Sequence, residues 1–299
     1  MKNVLKLFLF SCFILILSLN FSLADQQKQP SQYRQEHAAV TAHQVKGDIY
    51  EVKGGSGANT GFFIGEKEVL VIDAKMDEES AKQMIAEIKK LTSHPIKYVV
   101  ITHSDGDHVN GLVGFNEDIT VIAHHQTRMD MDKAFQNPRQ RAYLPKLTFS
   151  EKLKLHSGSK SIKLFHFGPA HTSGDVVIYF PEEKVAFLGD LLFLGREPLV
   201  HRHKNGCSFG LVKVLKNVLK LDAETFVHGH GDIASRSDIE GVIESLEEKQ
   251  AKIKSLIEEG KSLEEIKKIF GVEDRPTQPG RSRRLSLIEV IYLELTEKK

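Results

Sequence analysis

Short runs of apolar residues, separated by polar turns, predict an α/β arrangement in the first half of the chain. Three such runs predict strands over residues 49–52, 61–64 and 69–72, with glycine-rich turns between them. Apolar residues then recur at helical spacing over residues 81–91, and a further strand is predicted over residues 98–101. In this pattern of strand, helix and strand, functional side chains gather beyond the strand ends.

The second half of the chain begins with strands and ends in helices. Strands are predicted over residues 162–165, 176–179, 185–188 and 225–227, and a helix over residues 211–221. Residues 125–150 are irregular, and residues 192–209 are predicted to form a long loop. Helices follow, with capping boxes predicted at 237–240 and 262–265 and a last helix ending near residue 295. We therefore expect a main domain over 45–235 and a C-terminal helical extension over 236–299 that packs on it.

The first residues differ from the rest and predict export. Lys2 and Lys6 precede an apolar run, and in the sequence Ser22-Leu23-Ala24 the serine and the alanine supply small residues at the two positions that a signal peptidase recognises. We expect a signal peptide over 1–24, cut after Ala24, and a flexible segment over 25–44. The mature protein would be periplasmic or secreted, without stable insertion in the membrane. Its one remaining cysteine, Cys207, could not form an internal disulfide.

Composition excludes little beyond nucleic-acid binding. The 299 residues carry a formal net charge of +1, so no basic excess favours a nucleic-acid partner. A small-molecule substrate is expected instead. The apolar faces of the C-terminal helices could pack on the domain or on a second subunit, so a homo-oligomer remains possible.

The candidate chemistry lies in four motifs rich in histidine and aspartate. The stretch from Thr102 to Gly111 follows an apolar strand and contains four potential metal ligands within six residues, namely His103, Asp105, Asp107 and His108. His171, Asp190 and His230 each lie in a motif that contains glycine. Imidazole and carboxylate groups in this number are typical of a two-metal hydrolytic site. The chain is therefore predicted to be a metal-dependent hydrolase.

The spacing suggests how two metals could divide these ligands. Alternate residues of a turn that leaves a strand can point to one side, so His103 and Asp105 can approach one metal. Asp107 and His108 can then turn toward a second. Asp190, at the end of a buried strand, suits a bridging role, and the two remaining histidines would complete one site each.

In this order the motifs resemble those of the metallo-β-lactamase-fold hydrolase superfamily, over roughly residues 49–232. The resemblance implies an αββα sandwich with the metals at one edge of the paired sheets. It also implies ligand roles: His103 and His171 for metal one, Asp107, His108 and His230 for metal two, and Asp190 as the bridge. By the same resemblance, Thr172 and Asp175 would orient the ligands.

Asp105 departs from the family pattern, which usually has histidine at this position. A carboxylate adds negative charge and a harder donor, so three carboxylates would face two divalent ions. We expect two zinc ions, with iron or manganese more competitive than usual, because flavodiiron relatives have a glutamate at this position and use iron. The alternative is that Asp105 acts beside the ligands and that the first site is poorly occupied.

The expected reaction is hydrolysis by a metal-bound hydroxide that Asp107 orients by accepting its hydrogen bond. The substrate could be an ester, thioester, lactone, lactam or phosphodiester. Arg196, His201 and His203 could meet an anionic group of the substrate, and Phe193 could line an apolar wall. Three alternatives stay open: a β-lactamase proper, an iron-dependent oxidoreductase of the persulfide dioxygenase or diiron kind, and a metal-binding protein without catalysis.

Overall fold

The computed structural model describes residues 38–273 and 283–297. These residues belong to the second of the two units into which the chain divides, Ala38–Lys299. The predicted signal peptide over 1–24 and residues 25–37 of the predicted flexible segment lie outside the described residues.

Two β-sheets dominate the described part of the chain, which confirms the predicted mixed α/β fold. The first sheet has seven strands in sequence order: β1 (Thr41–Lys46), β2 (Ile49–Lys53), β3 (Thr60–Ile64), β4 (Val69–Ile72), β5 (Ile96–Val100), β6 (Thr120–His124) and β7 (Leu147–Phe149). The second has five strands in the order β12-β11-β10-β9-β8, which are β8 (Lys152–Ser157), β9 (Lys160–Phe165), β10 (Val177–Phe180), β11 (Val185–Phe187) and β12 (Thr225–Val227).

Helices cover the outer faces of both sheets. In the described ranges they are α1 (Glu78–Leu91), α2 (Gly106–Val109), α3 (His125–Ala134), α4 (Pro138–Arg141), α5 (Ser208–Val218), α6 (Arg236–Glu258), α7 (Leu263–Ile269) and α8 (Leu287–Thr296). Short 3₁₀ turns lie at Asn110–Gly114, Gly189–Leu191 and Arg202–Lys204. Among these helices, none has the length and apolar character that crossing a bilayer requires.

Alternation of side chains along the strands explains the layering. In β4, Val69 and Val71 pack in the cluster beneath α1, while Leu70 and Ile72 face the cluster between the two sheets. In β10, Ile178 faces that same inner cluster, and Val177 points to the helices on the other side. Because successive side chains of a strand point to opposite faces, a fully apolar strand joins two cores. The result is the predicted αββα sandwich.

The C-terminal helices pack on the outer face of the second sheet. Ile239 of α6, Ile266 of α7 and Val290 of α8 are buried in one cluster with Tyr179 and Ala186 of the sheet. These helices therefore complete the fourth layer of the sandwich.

Several local elements differ from the sequence predictions. The helix predicted over 211–221 spans Ser208–Val218, so it begins inside the loop predicted over 192–209. Residues 41–44 lie in β1, so the predicted flexible segment is wrong there, because these residues pair with β2. The capping box at 237–240 is also wrong: the helix begins earlier, with Ser235 as its N-cap and Asp238 as the reciprocal partner. Residues 120–157, largely without a clear period, contain three strands and two helices that the pattern did not predict.

A buried lysine holds the glycine-rich turn between β2 and β3. Lys75 has no exposed surface, and its Nζ donates to the carbonyls of Val52, Gly54 and Ala58 at 3.3, 2.9 and 2.8 Å. Burial lowers the pKa of Lys75 from 10.5 to about 8, although Glu51 opposes the shift. The same turn contacts the metal-binding region, because Ala58 N donates to Asp107 O and Asn59 N to Gly229 O.

We expect Lys75→Met to lower the free energy of unfolding by about 1–3 kcal/mol, because three carbonyls lose their donor. The pH dependence should change as well. Between the folded pKa of about 8 and the unfolded value of 10.5, the unfolded chain binds the extra proton. Wild-type stability should therefore rise with pH in this window relative to the variant. Denaturant titrations at several pH values measure both effects.

Lys82→Met is the control, since Lys82 is exposed and pairs with Glu78 one turn earlier in α1. An equal loss of stability in both variants would contradict the role assigned to Lys75.

Candidate metal centre

The candidate ligands come from four chain segments that meet at one edge of the two sheets. His103 and its neighbours follow the parallel strand β5, Asp190 follows β11, and His230 follows β12, which is parallel to β11. His171 lies on the connection between β9 and β10. Because these strand ends converge, side chains far apart in the sequence become neighbours.

The seven predicted residues form two groups that share Asp190. His103, Asp105, His171 and Asp190 make up one group, and Asp107, His108, Asp190 and His230 the other. In each group the potential ligand atoms all lie within 4.8 Å of one another. Asp190 faces both groups: its Oδ1 is 3.2 Å from His108 Nε2, and its Oδ2 lies 3.3 Å from His230 Nε2 and 3.9 Å from His103 Nε2.

Several of these atoms are buried without a hydrogen-bond partner. Among them are the Nε2 atoms of His103 and His108 and the Oδ1 atom of Asp190; the last two are 3.2 Å apart but do not meet in hydrogen-bond geometry. A buried polar atom without a partner is costly, so their convergence needs an additional group. Nitrogen and carboxylate donors at this spacing fit divalent metal ions.

Gly229 keeps the space beside this cluster open. A Cβ atom at this position would lie 2.2 Å from Asp190 Oδ1 and 3.0 Å from a ring carbon of His108. A side chain could not be added here without displacing candidate ligands. The His-Gly-His motif therefore requires glycine at position 229, because its backbone lies close to the side chains of Asp190 and His108.

Asp73 orients two candidate ligands and was not predicted from the sequence. Its carboxylate accepts from Thr102 N and Thr102 Oγ1, both at 2.8 Å, and lies 2.8 Å from His108 Nδ1. Thr102 Oγ1 is in turn 3.0 Å from His103 Nδ1. With their Nδ1 atoms engaged, both histidines present Nε2 to the cluster. The available signal was an aspartate directly after the apolar strand β4.

His171 is oriented by a backbone carbonyl. Its Nδ1 lies 2.7 Å from Leu199 O, so Nε2 points to the cluster. The predicted orienting residues act on the turn instead: Asp175 accepts from Thr172 N at 2.8 Å and from Thr172 Oγ1 at 2.7 Å. Burial raises the pKa of Asp175 to about 6.

Phe193 and Arg196, predicted as substrate contacts, form a stack on His230. The Phe193 ring lies parallel to the His230 ring, with centroids 5.6 Å apart, and is 1% exposed. The guanidinium of Arg196 lies 4.2 Å from the Phe193 centroid. Phe193 therefore supports a candidate ligand and offers almost no surface of its own to a substrate.

His201 and Lys204 enclose Asp105 from the other side. His201 Nε2 lies 2.8 Å from Asp105 Oδ2, and Lys204 Nζ lies 2.6 Å from Asp105 Oδ1. Lys204 was not predicted as a site residue. His203, predicted beside His201, is exposed, and its ring centroid lies 5.0 Å from that of His201.

The electrostatics of the cluster are dominated by paired imidazoles and carboxylates. Burial alone would lower the pKa values of His171 and His230, but hydrogen bonds with Asp105 and with Asp107 and Asp190 raise both to about 9. Burial acts to raise the pKa of Asp105, yet hydrogen bonds from His171 and His201 hold it below its usual value. The carboxylates are therefore ionised at neutral pH, as metal ligands must be.

Comparison with known proteins finds relatives in sequence and solved structures with a similar fold. Against 2,4-dinitroanisole O-demethylase subunit alpha of Nocardioides sp. (strain JS1661), the chain is 25% identical over 212 residues, which are 69% of this chain and 62% of that protein. The chain thus spans less than two thirds of that relative. It is 27% identical over 207 residues to metallo-beta-lactamase type 2 of Elizabethkingia meningoseptica, covering 66% and 78% of the two chains.

The solved structure of a metallo-beta-lactamase from Pontibacter korlensis is similar with a TM-score of 0.61, at 17% identity, over 70% of this chain and 99% of that one. At this identity the likeness shows the fold alone. The family evidence comes from the sequence, because residues 54–230, more than half of the 299, match the model of the metallo-beta-lactamase superfamily. The chain, with its histidine and aspartate cluster at the sheet edge, belongs to the metallo-beta-lactamase superfamily.

Proposed function

We propose that this protein is a hydrolase that depends on two divalent metal ions. The observation that carries the proposal is the pair of ligand groups that share Asp190. His103, Asp105 and His171 would hold metal one, Asp107, His108 and His230 would hold metal two, and Asp190 would bridge them. The preference for zinc follows the donor set, with iron or manganese as alternatives.

When bound, the two ions would lower the pKa of water toward neutrality and polarise the scissile group of the substrate. The side chains of Asp107 and His230 are 22% and 30% exposed, whereas those of His103, His108, His171 and Asp190 are at most 4% exposed. Water and substrate therefore approach from the side of Asp107. From there its carboxylate can accept a hydrogen bond from the attacking water and orient it.

Several classes of substrate suit the candidate site. Arg196 is exposed and lies against Phe193 beside His230, so its positive charge favours a substrate with an anionic group. Partial burial and the neighbouring His201 and Lys204 lower the pKa of His203, so this side chain contributes little positive charge at neutral pH. Ester, thioester, lactone, lactam and phosphodiester substrates all suit the chemistry. These classes form a test panel; the names of the relatives support including the lactam and add an aryl methyl ether, after the O-demethylase subunit.

A second candidate function is an iron-dependent oxidoreductase. Asp105 stands where imidazole is usual and favours this function, because two histidines with a carboxylate, here His103, His171 and Asp105, form a donor set typical of non-haem iron sites. Metal identity separates the two candidates.

We expect the purified protein to contain close to two zinc ions per chain and to hydrolyse at least one member of such a panel. Asp107→Asn should lower kcat/KM at least about 100-fold, because the orienting carboxylate is lost. Elemental analysis and initial rates measure these quantities. The exposed Asp118→Asn serves as control. Protein that contains mainly iron and hydrolyses nothing in the panel would favour the oxidoreductase.

We expect Asp73→Asn to weaken binding of metal two by about 10–100-fold, because the amide no longer holds His108 in the correct orientation and charge environment. Chelator competition with zinc measures the affinity. Asp175→Asn is the matched control: Asp175 is also buried but hydrogen-bonds to Thr172. Equal losses of metal-two affinity in both variants would contradict the role of Asp73.

We also propose that the protein acts outside the cytoplasm, on the basis of the basic and apolar pattern of residues 1–24. Mass spectrometry of the protein from an exporting host should find an N-terminus at Asp25. A chain that keeps residues 1–24 in the mature form would contradict cleavage after Ala24.

A further inference from the structure

The two metal-binding groups differ in how their carboxylates are balanced by charge. Lys204 Nζ forms an ion pair with Asp105 Oδ1 at 2.6 Å. Among the residues that the structure describes, no lysine or arginine pairs with Asp107 or Asp190, whose ion-pair partners are histidines. A permanent cation therefore stands beside the first group only.

Lys204 is held in place rather than extended into solvent. Its side chain is 20% exposed, and Nζ also donates to Ser104 O and Ser104 Oγ, both at 3.1 Å. The backbone around it is fixed to the turn that carries His171, because Ser173 N donates to Lys204 O and His201 N donates to His171 O. The ammonium thus has one defined position next to Asp105.

The two oxygens of Asp105 have different surroundings. Oδ1 faces Lys204, while Oδ2 faces His201, His171 and His103 at 2.8, 3.3 and 3.8 Å. Only Oδ2 is directed into the ligand cluster. A metal ion bound there would share this carboxylate with the ammonium, and two cations that share one anion repel each other.

We propose that Lys204 is an internal counter-cation that competes with metal one for Asp105. The inference rests on the proposed two-metal function and deepens it: the two sites have unequal affinity, with metal two bound tightly and metal one exchangeable. In the absence of metal one, Lys204 neutralises the carboxylate that replaces the usual imidazole, so the turn keeps its shape. Lys204 is a positioning residue, since it acts through Asp105.

The segment that carries Lys204 is anchored to the last described helix. Arg202 pairs with Glu297 at 2.5 Å and with Glu294 at 3.8 Å, and Glu294 also accepts from Ser208 N at 2.9 Å. These contacts hold residues 201–208 against α8. None of these contacts involves the side chain of Lys204, so a substitution at this position should leave the segment in place.

The test is a stepwise titration of metal-free protein with Zn²⁺ against a chelating indicator, repeated with Co²⁺ and followed by its absorption spectrum. In wild type we expect two binding steps of different affinity. Lys204→Met should tighten the weaker step by about tenfold or more and leave the tighter step unchanged, since the repulsion is removed at one site. Lys204→Arg, which keeps the charge, should behave as wild type.

Lys216→Met is the matched control, because Lys216 of α5 forms an ion pair with Glu247 of α6 on the exposed surface, away from the candidate ligands. In an Asp105→Asn background, Lys204→Met should lose most of its effect, because the shared carboxylate is gone. Thermal unfolding of each metal-free variant verifies that it is folded.

A weaker step that is unchanged or weakened in Lys204→Met, with both metals still bound, would overturn the counter-cation and leave the two-metal centre intact. A wild-type protein that binds one ion at every zinc concentration would overturn the two-metal centre itself, and the inference with it.

Discussion

A single buried carboxylate connects the sheet to the metal centre. Asp73 is 2% exposed, and its carboxylate accepts hydrogen bonds from the backbone N–H and the hydroxyl group of Thr102. It also contacts the ring of His108. These contacts join the end of β4 to the turn after β5 at the point where the ligands begin. Asp73 adopts a φ of 61°, a conformation that non-glycine residues rarely adopt. The strain is tolerable because three hydrogen bonds hold the side chain.

The fold must also hold three carboxylates close together, which is unfavourable unless each is compensated. Imidazoles of His108 and His230 face Asp190 and Asp107, and His201 and Lys204 face Asp105. Buried charges persist only when they are paired and hydrogen-bonded or bind a metal. The cluster therefore has partial compensation from the chain itself, and the orphaned nitrogen and oxygen atoms of His103, His108 and Asp190 mark where compensation is incomplete.

The sequence predicted the parts of this arrangement that are local. The candidate ligands from His103 to His108 lie in one short motif after an apolar strand, so they can be recognised from the sequence alone. The strands β4 and β12 have the predicted bounds because their apolar runs are continuous. The partners that orient the ligands were not predictable in this way: Asp73 lies 35 residues from His108, and Lys204 lies 99 residues from Asp105. No periodicity links such pairs, since only the folded sheet edge brings them together. The segment over 192–209 was predicted as a loop, and its chemistry depends on tertiary contacts that a loop pattern does not encode.

The contacts of Arg202 connect the last described helix to the segment beside the candidate metal ligands. Arg202 is adjacent to His201, which contacts Asp105. It pairs with Glu294 of α8 and with Glu297 directly after it. Substitutions on the surface of α8 could therefore alter metal content without touching a ligand. During evolution, such positions would let the chain adjust its metal affinity while the four ligand motifs stay constant.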